Sequence, residues 1–332
     1  MQVGFFYWPF NVDLTRRLAA AAEKYGYDMI GVADTPGNAM DPWVTATLVA
    51  EQTRHPKVSI CVTNLTSRHP STTAAAIASL DLVSGGRAIL GIGAGNSGTK
   101  NLGLGGSKAE QLKEGVTFIR TLLQGKAATY DGATAHMPWV KRAAPVYQAA
   151  SLPRSLEAAG EVADGVFANY GLDAASLAGS VGHVARGAAR VGRSVDALDI
   201  WQIACLDCHE DRTVARNKIG AILAFVSGYV LGGGDLAARG VPAQFIEPLR
   251  ELRRRYSTRP GDADARMVDA LGLFDYLAGR LSIWGHPDDC LRQSLAAKAA
   301  GAKRLMFTVS LAADPVRTVE FFGEHVLPKI RG

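Results

Sequence analysis

The feature that most constrains this chain is a strict alternation of two hydrophobic periods. Short β-branched and aromatic runs recur at Val3–Trp8, Met29–Ala33, Val58–Thr63, Arg87–Ile92, Val146–Ala149, Val166–Ala168, Ile200–Leu206 and Leu305–Val309. Between most of them lie helical patterns, such as Leu14–Tyr25, Pro42–Thr53, Thr72–Val83, Ala109–Leu123, Arg154–Ala163 and Asp288–Ala300. Strands that alternate with helices build parallel sheets covered by helices. Helix punctuation agrees: Asp41-Pro42 and Asp314-Pro315 read as an N-cap followed by proline at the first helical position, and Gly26 ends the first helix. Such units either close into a barrel or lie open as a doubly wound sheet. At 332 residues the chain has the length for a (β/α)8 TIM barrel with insertions, and one barrel domain spanning 1–332 is the expected fold. Residues 220–279 read as a mainly helical insertion after the seventh strand, placed to act as a lid or an oligomer contact. Residues 127–141 read as a small hairpin or lid.

Composition narrows the function classes. The chain is 48% hydrophobic and 20% charged, which supports a large core and argues against disorder. Its net charge of +5 is spread along the sequence. The one basic run, Arg253-Arg254-Arg255, lacks interleaved aromatics and reads as a solvated helix face, so no nucleic-acid partner is expected. Four cysteines do not make a disulfide framework. The opening residues show no export leader, and no apolar run approaches a membrane span. A cytoplasmic enzyme without a membrane partner is the expectation.

Several motifs have competing readings. Gly93-Ala94-Gly95-Asn96-Ser97-Gly98 is formally G-x-G-x-x-G after a strand, but the next helical pattern starts only near Ser107, and no acidic residue ends a following strand at the required distance. It reads instead as a loop at the mouth of a barrel strand, where glycines admit an anion or a flat ring, or as a plain flexible turn. Cys205-Leu206-Asp207-Cys208-His209 has the haem-attachment spacing, yet it ends an apolar strand that would point the two thiols to opposite sides. It also lacks a second ligand pair for zinc, and no metal site is expected. There is no nucleophile elbow, Walker loop or zincin helix. Asp34 ends the second strand run, where barrels keep their chemistry, and otherwise reads as a cap or loop aspartate. Trp8, at the end of the first run, reads as cavity wall or core.

Three blocks together resemble a known family. Residues 61–70 (CVTNLTSRHP), 78–87 (ASLDLVSGGR) and 90–96 (LGIGAGN) resemble the bacterial luciferase-like superfamily, in particular its methylenetetrahydromethanopterin reductase-like branch. Residues 149–166 are similar to the family's segment between its fifth and sixth strands. The resemblance covers nearly the whole chain, is weakest over 220–279, and says little about substrate. It implies a barrel that holds a reduced flavin or deazaflavin at its C-terminal mouth. The ring would rest on a bulge at the third strand, with Cys61–Val62 as the matching cis bond and Asn64 at its edge. The coenzyme's phosphate end would lie near Gly93, Ala94, Gly95, Asn96 and Ser97, and at Ala150, Ser151, Leu152 and Arg154. At the second place free N–H groups of 151–154 and the helix dipole form an anion site unaided. Asp34 and Thr35 are the catalytic candidates. Two departures stand out: Leu152 replaces a usual glycine, and Thr35 replaces the histidine of deazaflavin-dependent dehydrogenases.

The leading expectation is a flavin-dependent oxidoreductase, a two-component monooxygenase using reduced FMN and oxygen on a small organic substrate. Its partners would be a separate flavin reductase and a second copy of the chain, as dimer or tetramer. The alternatives are a reductase or dehydrogenase using an 8-hydroxy-5-deazaflavin coenzyme, and a non-catalytic flavin-binding protein.

Overall fold

The computed structural model describes residues 1–231, 233–259, 262 and 264–331. Its strands are β1 (Gln2–Tyr7), β2 (Met29–Val32), β3 (Lys57–Asn64), β4 (Ala88–Gly93), β5 (Ala128–Tyr130), β6 (Ala133–Ala135), β7 (Val146–Ala150), β8 (Gly165–Ala168), β9 (Asp199–Cys208), β10 (Ser282–Gly285) and β11 (Arg304–Thr308). Strands β1 to β4, β7, β8, β9 and β11 coincide with the eight runs expected from the sequence, and they form a (β/α)8 barrel with flanking helices.

Contacts along the chain gather into two compact units, one holding Met1–Phe5, Asn169–Ser180 and Gln202–Gly332, the other Phe6–Ala168 and Val181–Trp201. In the second unit β2, β3, β4, β7 and β8 pair in chain order, all parallel, with Met29 opposite Lys57, Val58 opposite Ala88, Leu90 opposite Val146 and Tyr147 opposite Gly165. Every residue of β2, β4 and β8 is buried, as strands covered on both faces require. In the first unit β10 and β11 both lie parallel to β9, with Ser282 opposite Cys205 and Leu305 opposite Gln202.

Punctuation behaves as its chemistry dictates. The Asp41 carboxylate accepts from the amides of Trp43 and Val44, at 2.9 and 3.2 Å, ahead of the helix Pro42–Gln52. Asp314 does the same for Val316 and Arg317. Gly26 closes the first helix with φ 70°. Residues 127–141 contain the hairpin β5–β6, turned by Asp131 (φ 48°) and Gly132 (φ 76°), the Asp-Gly pair that such turns favour.

One strand escapes the sequence reading. β10 has four residues, Ser-Ile-Trp-Gly, too few to show a period. The segment 220–279 begins inside a helix, Arg212–Val230, and continues through Ala243–Arg254, Ala265–Ala270 and into Phe274–Leu281. In its arginine run, Arg254 pairs with Glu247 and Glu251, Arg255 with Glu251, and Arg253 donates to the Gly228 carbonyl. β9 runs through both Cys205 and Cys208, and Cys208 meets Cys290 of the helix Pro287–Ala299. Among the described residues no cluster of histidine, cysteine or acidic side chains could hold a metal, and no helix is long and apolar enough to cross a membrane.

Candidate active site

The candidate residues fall at the C-terminal ends of four strands of the second unit, the end that carries ligands in this fold. Asp34 lies just past β2 and is 7% exposed. Thr63, on β3, donates its hydroxyl to Asp34 Oδ2 at 2.7 Å. Burial pushes the Asp34 carboxyl above the usual range, while the Thr63 bond and the Arg68 charge pull it partly back. Arg68 itself pairs with Asp41. Asp41 holds its own helix, so Asp34 caps nothing there. Thr35 is buried, and its hydroxyl accepts from Asn38 Nδ2 at 3.1 Å.

The Cys61–Val62 peptide is cis. The β3–β4 register shifts between Ile60 and Thr63, which makes the bulge. A Cβ on Gly91 would stand 2.4 Å from the Ile60 carbonyl and 2.9 Å from Val62 Cγ1, and one on Gly93 would stand 3.1 Å from Val62 Cγ2. The two glycines of Leu90-Gly91-Ile92-Gly93 therefore make room for the Val62 side chain. Cys61 is 3% exposed and its thiol is pushed up by burial, whereas Val62 is half-buried. Of the pair, Val62 has surface to offer. Asn64 is 2% exposed, and its Oδ1 accepts from the amides of Thr66 and Ser67 at 2.9 and 2.8 Å. It is committed to its own loop.

The glycine loop corrects one expectation. The chain does enter a helix at once, the single turn Ser97–Lys100 with Asn96 at its cap, well before Ser107. Gly98 seats that turn: a Cβ there would stand 2.7 Å from the Asp34 carbonyl and 3.2 Å from Asn64 Nδ2. Asp34, Asn64 and the 93–97 loop are thus one cluster. Gly95 takes φ 93°, and Ala94 is exposed, its carbonyl accepting from Ser107 at 2.7 Å.

The expected row of free amides at 151–154 is also corrected. Pro153 carries no N–H, and Leu152 N–H donates to Ser155 Oγ at 3.1 Å while that hydroxyl donates back to the Leu152 carbonyl at 2.8 Å. Arg154 and Leu152 are exposed and Ala150 is buried. The two loops adjoin, since a Cβ on Gly93 would stand 3.5 Å from Ala149 Cβ. Thr63, Ser155 and Gln148 are not expected site residues from the sequence, and Gly98 reads there only as the last glycine of the loop motif. Gln148 is fully buried, donates to the Ser155 carbonyl at 3.1 Å, and leaves Oε1 without a hydrogen bond among the described residues. Thr63 lies within residues 61–70, at the far side of the bulge, and alternation could have marked it.

The parallel barrel and the cis bond at Cys61–Val62 agree with what the luciferase-like resemblance implies. The family model described as luciferase-like monooxygenase matches residues 4–304, and the chain belongs to that family. It is 30% identical over 319 residues to the 5,10-methylenetetrahydromethanopterin reductase of Archaeoglobus fulgidus, covering 93% of each chain. It is 29% identical to the enzyme of that name from Methanolobus tindarius, covering 93% of this chain and 94% of the relative. A solved structure, the coenzyme F420 dependent tetrahydromethanopterin reductase from Methanopyrus kandleri, superposes with TM-score 0.79 at 25% identity, covering 99% of each chain. The protein is an oxidoreductase by this kinship, with deazaflavin-dependent enzymes among its kin.

Proposed function

We propose that this chain is a deazaflavin-dependent reductase, transferring hydride between an 8-hydroxy-5-deazaflavin coenzyme and the carbon of a reduced-pterin one-carbon substrate. The observation that carries this reading is the end-to-end likeness to reductases whose names state that chemistry. It replaces the two-component monooxygenase expectation as the leading one.

The residues present fit a flat tricyclic ring. Val62 offers half-exposed apolar surface beside the cis peptide, and Gly91 and Gly93 hold it in place from below. When bound, the coenzyme supplies or accepts the hydride. The protein's part is orientation and the exclusion of water. Asp34, fixed through one oxygen by Thr63, presents a carboxyl that burial keeps more basic than usual, suited to orienting a donor or holding a proton at its other oxygen. The exposed guanidinium of Arg154, just past the end of β7, would suit an anionic coenzyme tail.

The test is anaerobic. Reduced deazaflavin coenzyme mixed with enzyme and 5,10-methylenetetrahydromethanopterin should recover the visible absorption of the oxidised coenzyme, at a rate proportional to enzyme. Failure of the chain to bind that coenzyme overturns the reading. A second reading, the FMN monooxygenase, is favoured by Thr35 standing where deazaflavin-dependent dehydrogenases carry histidine. Oxygen uptake with reduced FMN and a substrate would support it.

A further inference from the structure

Past the glycine loop, residues 101–107 form a short span pinned at both ends, wholly within the unit that holds the candidate site. At the first end Asn101 Nδ2 donates to the Pro36 carbonyl at 3.4 Å, in the loop that carries Asp34. At the second, the Ser107 amide donates to the Ala94 carbonyl at 2.7 Å. Gly106 lies so close that a Cβ there would stand 2.8 Å from that same oxygen and 3.1 Å from the Gly95 carbonyl. Between its ends the span stands clear. A Cβ on Gly103 or Gly105 would meet nothing within 4 Å, and Leu102 and Leu104 are 47% and 40% exposed. Gly103 turns the chain at φ 71°. Gly105 has neither a positive φ nor a close neighbour, so what glycine supplies there is backbone freedom. One exposed leucine is ordinary. Two on a single glycine-hinged tip make an apolar patch that the resting fold leaves to water, and its ends stand on the two loops that frame the candidate site.

We propose that Leu102 and Leu104 are coenzyme-covering residues: the 101–107 span folds over the bound deazaflavin ring and shuts it from water, with Asn101 and Gly106 as its fixed ends. This rests on the reductase reading and adds to it the part that closes the site. The occupant is the coenzyme and not a second copy of the chain, because the ends of the span are held by the Asp34 loop at Pro36 and by the glycine loop at Ala94. Closure brings two apolar side chains down on a flat ring and expels the water that would otherwise compete at the reacting carbon. Lids of this kind turn on a few residues that absorb the backbone change, which Gly103 and Gly105 are free to do.

The experiment uses the full-length chain and oxidised 8-hydroxy-5-deazaflavin coenzyme, whose fluorescence reports its own exposure. Acrylamide should quench the coenzyme bound to wild type several-fold less steeply than the free coenzyme. The double variant Leu102→Ser, Leu104→Ser should lose most of that shielding and bind about tenfold more weakly, as loss of two partly buried leucines does. Both side chains are exposed at rest, so the variant should melt with wild type. Hydrogen exchange on wild type needs no variant: the amides of 102–106 should exchange several-fold more slowly with coenzyme bound. A wild type that does not bind the coenzyme overturns the reductase reading and this proposal with it. Coenzyme that binds but is as well shielded in the variant as in wild type overturns this proposal alone, as does exchange at 102–106 unmoved by coenzyme. Slowing that follows protein concentration in place of coenzyme marks a contact between copies and overturns it too.

Discussion

At the residue scale, the buried aspartates Asp34 and Asp207 make different demands, one on the site and one on the folded state. Asp207 titrates near 6 against an ordinary 3.8, so the folded chain holds its proton more tightly than the unfolded one. Stability attached to this group is then present at low pH and lost as pH rises from about 4 through about 6, by roughly 3 kcal/mol. Asp207→Asn should therefore melt above wild type at pH 8 and not at pH 4, which thermal unfolding at the two pH values checks. Asp34 is shifted in the same direction by burial, but Thr63 holds it. Asp34→Ala should lower turnover by about 10²-fold with the fold intact by circular dichroism, as loss of an acid/base or orienting group does. The place of Asp34 was legible from the end of the second strand run, and the cis bond only through the resemblance carried by residues 61–70. Asp207 was passed over because its Cys-x-x-Cys-His setting drew attention to the thiols, and only the structure shows its Oδ1 without a donor among the described residues.

At the scale of elements, glycine controls how closely helices approach. The helices Pro153–Val162 and Ala174–Arg190 cross so tightly that a Cβ on Gly187 would stand 1.8 Å from the Glu157 carbonyl, and one on Gly160 would stand 2.2 Å from the Val184 carbonyl. Gly187→Ala must separate them, and a loss of about 1–3 kcal/mol in denaturant unfolding is expected. The same crossing carries a charge cluster. Glu157 meets His183, Arg186 and Arg190, which hold its carboxyl down at about 2 despite burial. The helices were legible from their period and punctuation. Their crossing was not, because a glycine inside a helical pattern reads the same whether it faces solvent or a neighbouring backbone. Likewise Pro153 was read as a helix start, but the Ser155 hydroxyl that fills the Leu152 amide belongs to cap geometry, which spacing alone does not reveal.

At the scale of the molecule, alternation left a barrel or an open doubly wound sheet, and the 332-residue length pointed to the barrel. What alternation could not supply was choice of coenzyme, because the proposed shelf at Val62 would take either flat ring alike. Net charge adds a bulk effect: a chain at +5 attracts an anionic coenzyme through a field that salt screens. Raising ionic strength from about 0.05 to 0.5 M should weaken deazaflavin binding several-fold. Arg154→Ala should weaken it at low salt and flatten the dependence, as titrations of both proteins at both salts would show; an unchanged slope would mean that Arg154 stands away from the coenzyme.

The Ser84-Gly85-Gly86-Arg87 block belongs to the opposite end of the strands. Arg87 donates from Nε to the Ser84 carbonyl, from Nη1 to Thr53 Oγ1 and the Pro56 carbonyl, and from Nη2 to the carbonyls of Ala50 and Thr53, all between 2.8 and 3.0 Å. Gly86, at φ 91°, leaves space for the guanidinium of Arg142, which grips Asp81. A lysine at 87 has three donors in place of five, without the planar fork, and could not keep all of these bonds. This quartet is a keystone laid at the foot of the barrel. A descendant stripped of every reactive group would still need it, so its presence speaks to architecture and is silent on whether a chain turns anything over.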